Sequence, residues 1–309
     1  MKKGKYLITG CAGFIGSCLV KSLYKNYDLI LVDDLSKGNI KNLPKGLRHK
    51  IIKKKIQNIK KLNTKKIKGI FHLAAQASVP FSLKEFYKSS SNNLLSSIKV
   101  FELSKKYAAP IVYASSSAVY GNLALGNDHI EKFSILSPYA QDKLTIENYA
   151  KISNKIFKTS SVGLRFFNVY GPGQTAKDPY SAVVPIFITR MLNNLPITIN
   201  GGYQTRDFVY VEDVTKIMEK TMTKIQKKII CENFNLGSGR SIKIDFLYNL
   251  IKKTICIEPK LIRQKLDKHD PKKSFGTFNK LMSFLNLKKK NFTQIEEGLV
   301  KTINHIKGD

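Results

Sequence analysis

No stretch of the 309-residue chain approaches the ~18 consecutive apolar residues of a membrane-spanning helix. Near the N-terminus only Tyr6-Leu7-Ile8 separate Lys5 from Thr9, against the ~7–15 apolar residues of an export signal core. That run reads as a first β-strand, and a cytoplasmic protein with no membrane partner is expected. The four cysteines (Cys11, Cys18, Cys231, Cys256) form no CxxC pair, and the five histidines are dispersed. Reduced thiols are expected, and no metal site. Arginine is scarce, at 6 residues against 47 lysines, and no carboxylate occurs from Leu35 to Lys84. The formal net charge is +31. Such a charge raises the prospect of nucleic acid. The lysines are spread along the chain, no aromatic residues interleave with them, and the better base reader is the rare one. Nucleic acid is therefore not the expected partner, although a positive field would draw an anionic substrate. Lys, Ile and Asn are abundant together, as genome composition alone would produce.

Hydrophobic content is 42%, enough for a large core. KYLITG, DLILVDD, GIFHLAA, PIVYASS and SVGLRFF are short β-rich runs with room for helices between them, the first helix spanning about Phe14–Tyr24. Strands alternating with helices predict an α/β fold, a doubly wound parallel sheet. After Asn168 the rhythm changes at Gly171-Pro172-Gly173. ITINGGYQTRDFVYV then reads as two short strands, and ENFNLGSGRSIKIDFLYNLI as strand, turn and helix. The expectation is a Rossmann domain over 1–165, with part of 205–235 returning to it. A smaller, interleaved α/β substrate lobe is expected over most of 166–309.

Gly10-Cys11-Ala12-Gly13-Phe14-Ile15-Gly16 follows the first strand and opens the first helix. Glycines there permit a tight turn and close approach of backbone N–H groups to a pyrophosphate, at the positive end of the helix dipole. Asp33 ends the next strand, where a carboxylate can accept both adenosine ribose hydroxyls and repel the extra phosphate of NADP. Turn and acid together favour NAD over a plain strand–helix connection.

In SPYAQDK, Tyr139 and Lys143 lie one helical turn apart on one face. Taken alone, the pair is equally a buried phenol and a solvated ammonium. The wider set TGCAGFIG, VDDLS, FHLAAQASV, YASSSAVYG, SPYAQDK, LRFFNVYGPGQ and QTRDFVYVEDV, in this order over most of residues 5–280, resembles the extended short-chain dehydrogenase/reductases. Within them it is most similar to the NAD-dependent UDP-sugar 4-epimerases. Epimerising C4 of a sugar means breaking an unactivated C–H bond. Bound NAD can take that hydrogen as hydride while a base takes the 4-hydroxyl proton. A free tyrosine, with pKa ~10, is a poor base, and a nearby ammonium favours its phenolate.

The resemblance implies Ser116, Tyr139 and Lys143 as catalytic residues, with Ser116 holding O4. It implies cofactor contacts at Gly10, Gly13, Phe14, Ile15 and Gly16, at Asp33, Asp34, Ser36 and Ile56, and at Leu73, Ala74, Ala75, Gln76, Asn93 and Phe166, besides Tyr139 and Lys143. Ser117-Ala118 stands where related dehydratases carry an acidic pair for eliminating water, which argues for epimerisation. On the substrate side, Ser78, Ser116 and Ser117 are implied near the sugar. Asn168 and Arg206 are implied at the diphosphate, and Val183, Thr198 and Asn200 around uracil. Asp270 and Ser274 are the remaining substrate residues.

In the epimerases this chain resembles, a small residue at the position of Ser274 admits an N-acetyl group, so the resemblance implies UDP-GlcNAc/UDP-GalNAc as the expected pair, with UDP-glucose/UDP-galactose as a second activity. The chain departs from the pattern in three places. Lys55-Ile56 replaces an Asp-Ile pair at adenine, and the loop before Arg206 is one residue shorter. Asp267 stands where a phosphate-binding arginine belongs, with Arg263 or Lys268 as substitutes. A 4,6-dehydratase, a decarboxylase or a non-catalytic NAD-binding regulator are the alternatives. A homodimer through the helix of Tyr139 and its neighbour is also implied.

Overall fold

Strand β1 (Lys5–Thr9) runs into helix α1 (Phe14–Leu23), and the alternation continues through β2 (Asp28–Val32), β3 (Ile51–Ile52) and β4 (Gly69–His72). Helices α2 (Val79–Lys84) and α3 (Phe86–Tyr107), strand β5 (Ile111–Ser116), helix α4 (Pro138–Phe157) and strand β6 (Ser161–Phe166) follow. Next come β7 (Asn168–Tyr170), α5 (Val183–Leu192), β8 (Ile197–Asn200), β9 (Thr205–Tyr210), α6 (Val211–Ile225) and β10 (Cys231–Leu236). The last elements are β11 (Ser241–Lys243), α7 (Ile244–Ile255), β12 (Leu261–Gln264), β13 (Lys273–Ser274), α8 (Asn279–Leu285) and α9 (Ile295–Lys307). The structure is a computed structural model and describes residues 4–176, 181–266 and 270–308.

Seven strands form one sheet in the order β10-β6-β5-β4-β1-β2-β3. Leu7 lies beside Ile70, and Ile70 beside Ile111, so one row of aliphatic side chains crosses three parallel strands. That row packs with Val100 of α3 and Ile146 of α4 in a single buried cluster. Alternate strand residues face one layer of helices, as a doubly wound sheet requires. The two-residue β3 was not visible in the sequence, because so short a strand carries no periodicity.

By internal packing the chain forms two units. The first comprises the chain up to Val119, Ser137–Arg165 and Val214–Phe234. The second comprises Tyr120–Leu136, Phe166–Asp213 and Asn235 onward. Residues 120–136, expected with the first domain, cluster with the second. Tyr120 Oη donates to Asn235 Oδ1 at 2.8 Å, and Asn235 N donates to Asp128 Oδ2 at 2.9 Å. These partners lie more than a hundred positions away, beyond any local signal.

In the second unit β9 pairs with β7 and β13 in parallel and with β11 antiparallel. Phe208 and Tyr210 of β9 join Phe187 of α5, Leu247 of α7 and Leu299 of α9 in its core.

Candidate active site

In the first unit the glycine turn is built for close approach. Gly10 has φ +69°, and a Cβ there would meet Ala74 N at 2.7 Å. A Cβ on Gly16 would run into the carbonyl of Gly10, so α1 rests directly on the turn. Gly13 caps α1 without a side-chain bond, which leaves the helix N–H groups uncapped. Asp33 is buried just beyond β2. Its Oδ2 accepts from Ala12 N at 2.8 Å and its Oδ1 from Leu35 N at 2.9 Å. Burial pushes its carboxyl above the usual range, and those backbone donors pull it back. Asp34 Oδ1 accepts from Ser36 N and Oγ, at 3.0 and 2.6 Å.

A cavity of about 350 Å³ opens over this turn. Its walls include Gly10, Gly13, Asp33, Asp34, Ser36 and Ile56, together with Leu73, Ala74, Ala75 and Gln76. Phe14, Ile15, Gly16, Asn93, Tyr139, Lys143 and Phe166 are not among its walls. Lys37, Lys54, Lys55, Gln57 and Lys88 also line it. Lys55 was expected near adenine; the other four are brought in from the segment after β2, the turn after β3 and helix α3, which no local pattern signals. A glycine-lined cradle that side chains would block, with an acid at the second strand, fits a dinucleotide.

Helix α4 carries the expected proton-transfer pair. Ser137 caps it by accepting from Ala140 N at 3.2 Å, and Pro138 occupies the first turn. Tyr139 and Lys143 therefore face inward, and both are buried. Lys143 Nζ lies 5.6 Å from the centre of the Tyr139 ring and donates to Ala114 O at 2.8 Å. Ser116, at the end of β5, shares a side-chain hydrogen bond with Tyr139. Burial raises the Tyr139 phenol above its ordinary value; the Ser116 bond opposes this and Asp142 adds to it. The ammonium was expected to favour the phenolate; in the protein without cofactor the phenol is instead raised, chiefly by loss of hydration. Burial also pushes Lys143 down from 10.5 to about 8, against the carboxylates of Asp142 and Glu147.

Three buried groups behind the pair were missed. His72 is held between Thr9 Oγ1 at Nδ1 (2.7 Å) and Ser97 Oγ at Nε2 (3.0 Å). Ser97 Oγ donates to Asn93 O at 2.7 Å, so Nε2 of His72 carries the proton. Burial lowers this imidazole to about 3 and keeps it neutral. Ser115, facing away from Ser116, donates to Glu147 Oε1 at 2.6 Å. Glu147 also accepts two bonds from Arg165, at 2.8 and 2.7 Å. Glu147 is one turn beyond Lys143, a spacing that could have flagged it. Asn93 is spent within the protein: Oδ1 accepts from Gln76 N at 2.7 Å, and Nδ2 donates to Asp142 Oδ2 at 3.0 Å.

Ser78 caps α2 by accepting from Phe81 N at 3.2 Å. Ser117 opens the short helical turn to Tyr120.

The second unit gathers four of the expected substrate residues around β9. Asn168 Nδ2 donates to Asp207 O at 3.2 Å. Arg206 forms an ion pair with Asp270, and Ser274 is its strand partner in β13. Thr198 and Asn200 lie on the exposed face of β8, while Val183 opens α5 and packs against the core. Arg263 forms a surface ion pair with Asp245 at 2.7 Å. Asp267 and Lys268 lie outside the described residues. Among the described residues, no helix is long and apolar enough to cross a membrane.

Residues 6–237 match the model of the NAD dependent epimerase/dehydratase family, and the chain belongs to that family. It is similar to the solved UDP-N-acetylglucosamine 4-epimerase of Methanobrevibacter ruminantium M1, in complex with UDP-N-acetylmuramic acid. The two are 32% identical with a TM-score of 0.92, covering 100% of this chain and 99% of the other. The UDP-glucose 4-epimerase of Thermotoga maritima, solved with UDP-glucose, is 30% identical with a TM-score of 0.88 over 98% and 99% of the chains. The UDP-glucuronic acid 4-epimerase of Bacillus cereus, solved with its substrate and NAD, is 28% identical with a TM-score of 0.87 over 98% and 99%. The cofactor is NAD, as the family description states and the Asp33 cradle fits.

Proposed function

We propose that the protein is a UDP-hexose 4-epimerase acting on UDP-GlcNAc and UDP-GalNAc, with UDP-glucose and UDP-galactose as a second substrate pair. The observation that carries this is the buried Tyr139 phenol on α4, with the Lys143 ammonium 5.6 Å from its ring centre and pinned to the strand that ends at Ser116. Tyr139 takes the proton from the sugar 4-hydroxyl, Ser116 holds O4, and Lys143 offsets the phenolate charge. NAD, when bound, supplies the hydride acceptor and donor. Gly10, Asp33 and the wall from Leu73 to Gln76 hold it, and burial keeps water from the proton-transfer pair. Asn168 and Arg206 bind the diphosphate, for which a guanidinium fork suits phosphate oxygens. Val183, Thr198 and Asn200 hold uracil, and Ser274 leaves room for a C2 acetamido group.

The family also contains dehydratases. Here the residues after Ser116 are Ser117 and Ala118, and neither side chain can serve as the acid and base of water elimination. Incubation with UDP-GlcNAc, followed by NMR of the sugar protons, tests the proposal. Inversion at C4 with C6 intact is expected. Loss of water at C6 sinks it in favour of a dehydratase, and no change in any UDP-hexose favours a regulator.

We infer also that two copies pair through α3 and α4. Leu95, Tyr149, Ile152 and Ile156 are 39–62% exposed on these two packed helices, and large apolar side chains left in water on neighbouring helices favour an interface. Ile152→Glu should convert a dimer to a monomer in light scattering, and a wild-type monomer would end this inference.

A further inference from the structure

Between Tyr139 and Lys143 on α4 sits a third buried, ionisable side chain, Asp142, only 3% exposed. Its Oδ2 accepts from Asn93 Nδ2 at 3.0 Å. Asn93 grips the backbone of Gln76 at both ends, accepting from N at 2.7 Å and donating to O at 3.2 Å. Gln76 in turn lines the dinucleotide cavity. One amide side chain thus ties the helix of the proton-transfer pair to the cavity wall through Asp142.

The charges around the pair can be balanced. On α4 they are Asp142, Lys143 and Glu147; on β6, Arg165; on β4, the neutral His72; on β5, the protonated Tyr113. Helix α3 presents the uncharged Ser90, Asn93 and Ser97. Glu147 is closed in a two-point bond with Arg165, so its charge is largely cancelled. The hydrogen-bond partner of Asp142 is an uncharged amide. Its carboxylate therefore leaves net negative charge beside the pair.

We propose that Asp142 is a positioning residue that fixes the Tyr139 helix to the cofactor cavity and whose charge sets the pH window of the Tyr139–Lys143 pair. This rests on Tyr139 acting as the base. A neighbouring negative charge raises the pKa of any acid, phenol and ammonium alike. Asp142 indeed stands among the groups that raise both. Turnover needs Tyr139 able to lose its proton and Lys143 still carrying one. Removing the carboxylate lowers both midpoints, so both limbs of the pH–rate bell move to lower pH. A purely structural residue would lower the bell without moving it.

The test is Asp142→Asn, which keeps an oxygen for Asn93, in the NAD-loaded enzyme. The pH–rate profile is measured with UDP-GlcNAc and with UDP-glucose. Side-chain NMR of ¹³C-lysine protein follows Lys143, its signal assigned by its loss in Lys143→Met. Both limbs and the Lys143 midpoint should fall by about one pH unit or more, and Asp142→Glu should restore them. A bell lowered in place, or profiles that coincide, overturns the proposal. If the wild type turns over neither substrate, the epimerase assignment fails, and the Lys143 midpoint alone decides: a fall supports the role of Asp142, no movement refutes it. Should Asp142→Asn not fold, Asp142→Ser removes the same charge and is read by the same midpoint.

Discussion

Lys143 Nζ donates to Ala114 O at 2.8 Å, so the ammonium beside Tyr139 is pinned to the strand that delivers Ser116. The three side chains proposed as catalytic come from two elements joined by that bond. Their geometry does not depend on substrate to assemble.

Tyr139→Phe removes the phenol and little else. Turnover should fall by about 10²–10⁴-fold, measured by NMR of C4 inversion. NAD released on denaturation should match the wild type, because the cavity walls do not include Tyr139. Retained activity would remove the proton-transfer role.

Lys143→Met should trade function for stability. The folded lysine sits near 8 against an ordinary 10.5, so the unfolded chain binds more protons between these values. Wild-type stability then rises as pH climbs from 8 to 10.5, and below 8 the buried charge is a cost of about 3 kcal/mol. Losing the Ala114 bond offsets about 1 kcal/mol. The methionine variant of the cofactor-free protein should be about 2 kcal/mol more stable at pH 7, with the difference shrinking above pH 8 and reversed to about 1 kcal/mol in favour of the wild type by pH 10.5. Urea unfolding at several pH values checks this.

Glu147→Gln leaves Arg165 buried without its counter-charge. Breaking such a pair from one side costs about 3–5 kcal/mol. Glu147→Leu combined with Arg165→Met should recover much of that loss. Chemical denaturation of the single and double variants gives the coupling.

Gly10→Val should abolish NAD retention. The position has φ +69° and would press a side chain into the backbone of Leu73 and Ala74. Calorimetric titration with NAD reads the loss, and binding within a fewfold of wild type would mean the cradle is elsewhere.

Much of the first unit was legible because its signals are local. The turn from Gly10 to Gly16, the acid at Asp33 and the Tyr139–Lys143 spacing are each contained within one strand–helix junction or one helical turn. The groups that tune them were not. His72, Asp142 and Glu147 are ordinary polar residues on apolar elements, and their partners Thr9, Asn93 and Arg165 lie 18 to 63 positions away. In the second unit, Arg206 stood out by its rarity. That Asp270 and Ser274 meet it depends on the pairing of β13 with β9.

The sequence by itself determined the alternation of strand and helix, the phosphate turn and the face shared by Tyr139 and Lys143, since period and steric freedom are properties of neighbouring residues. Only the tertiary structure decided the protonation of that pair. Burial removes hydration from both groups; Ser116 opposes its effect at Tyr139 while Asp142 adds to it there, and at Lys143 the charges of Asp142 and Glu147 oppose it. Both effects depend on distances that exist only once the sheet and helices have packed.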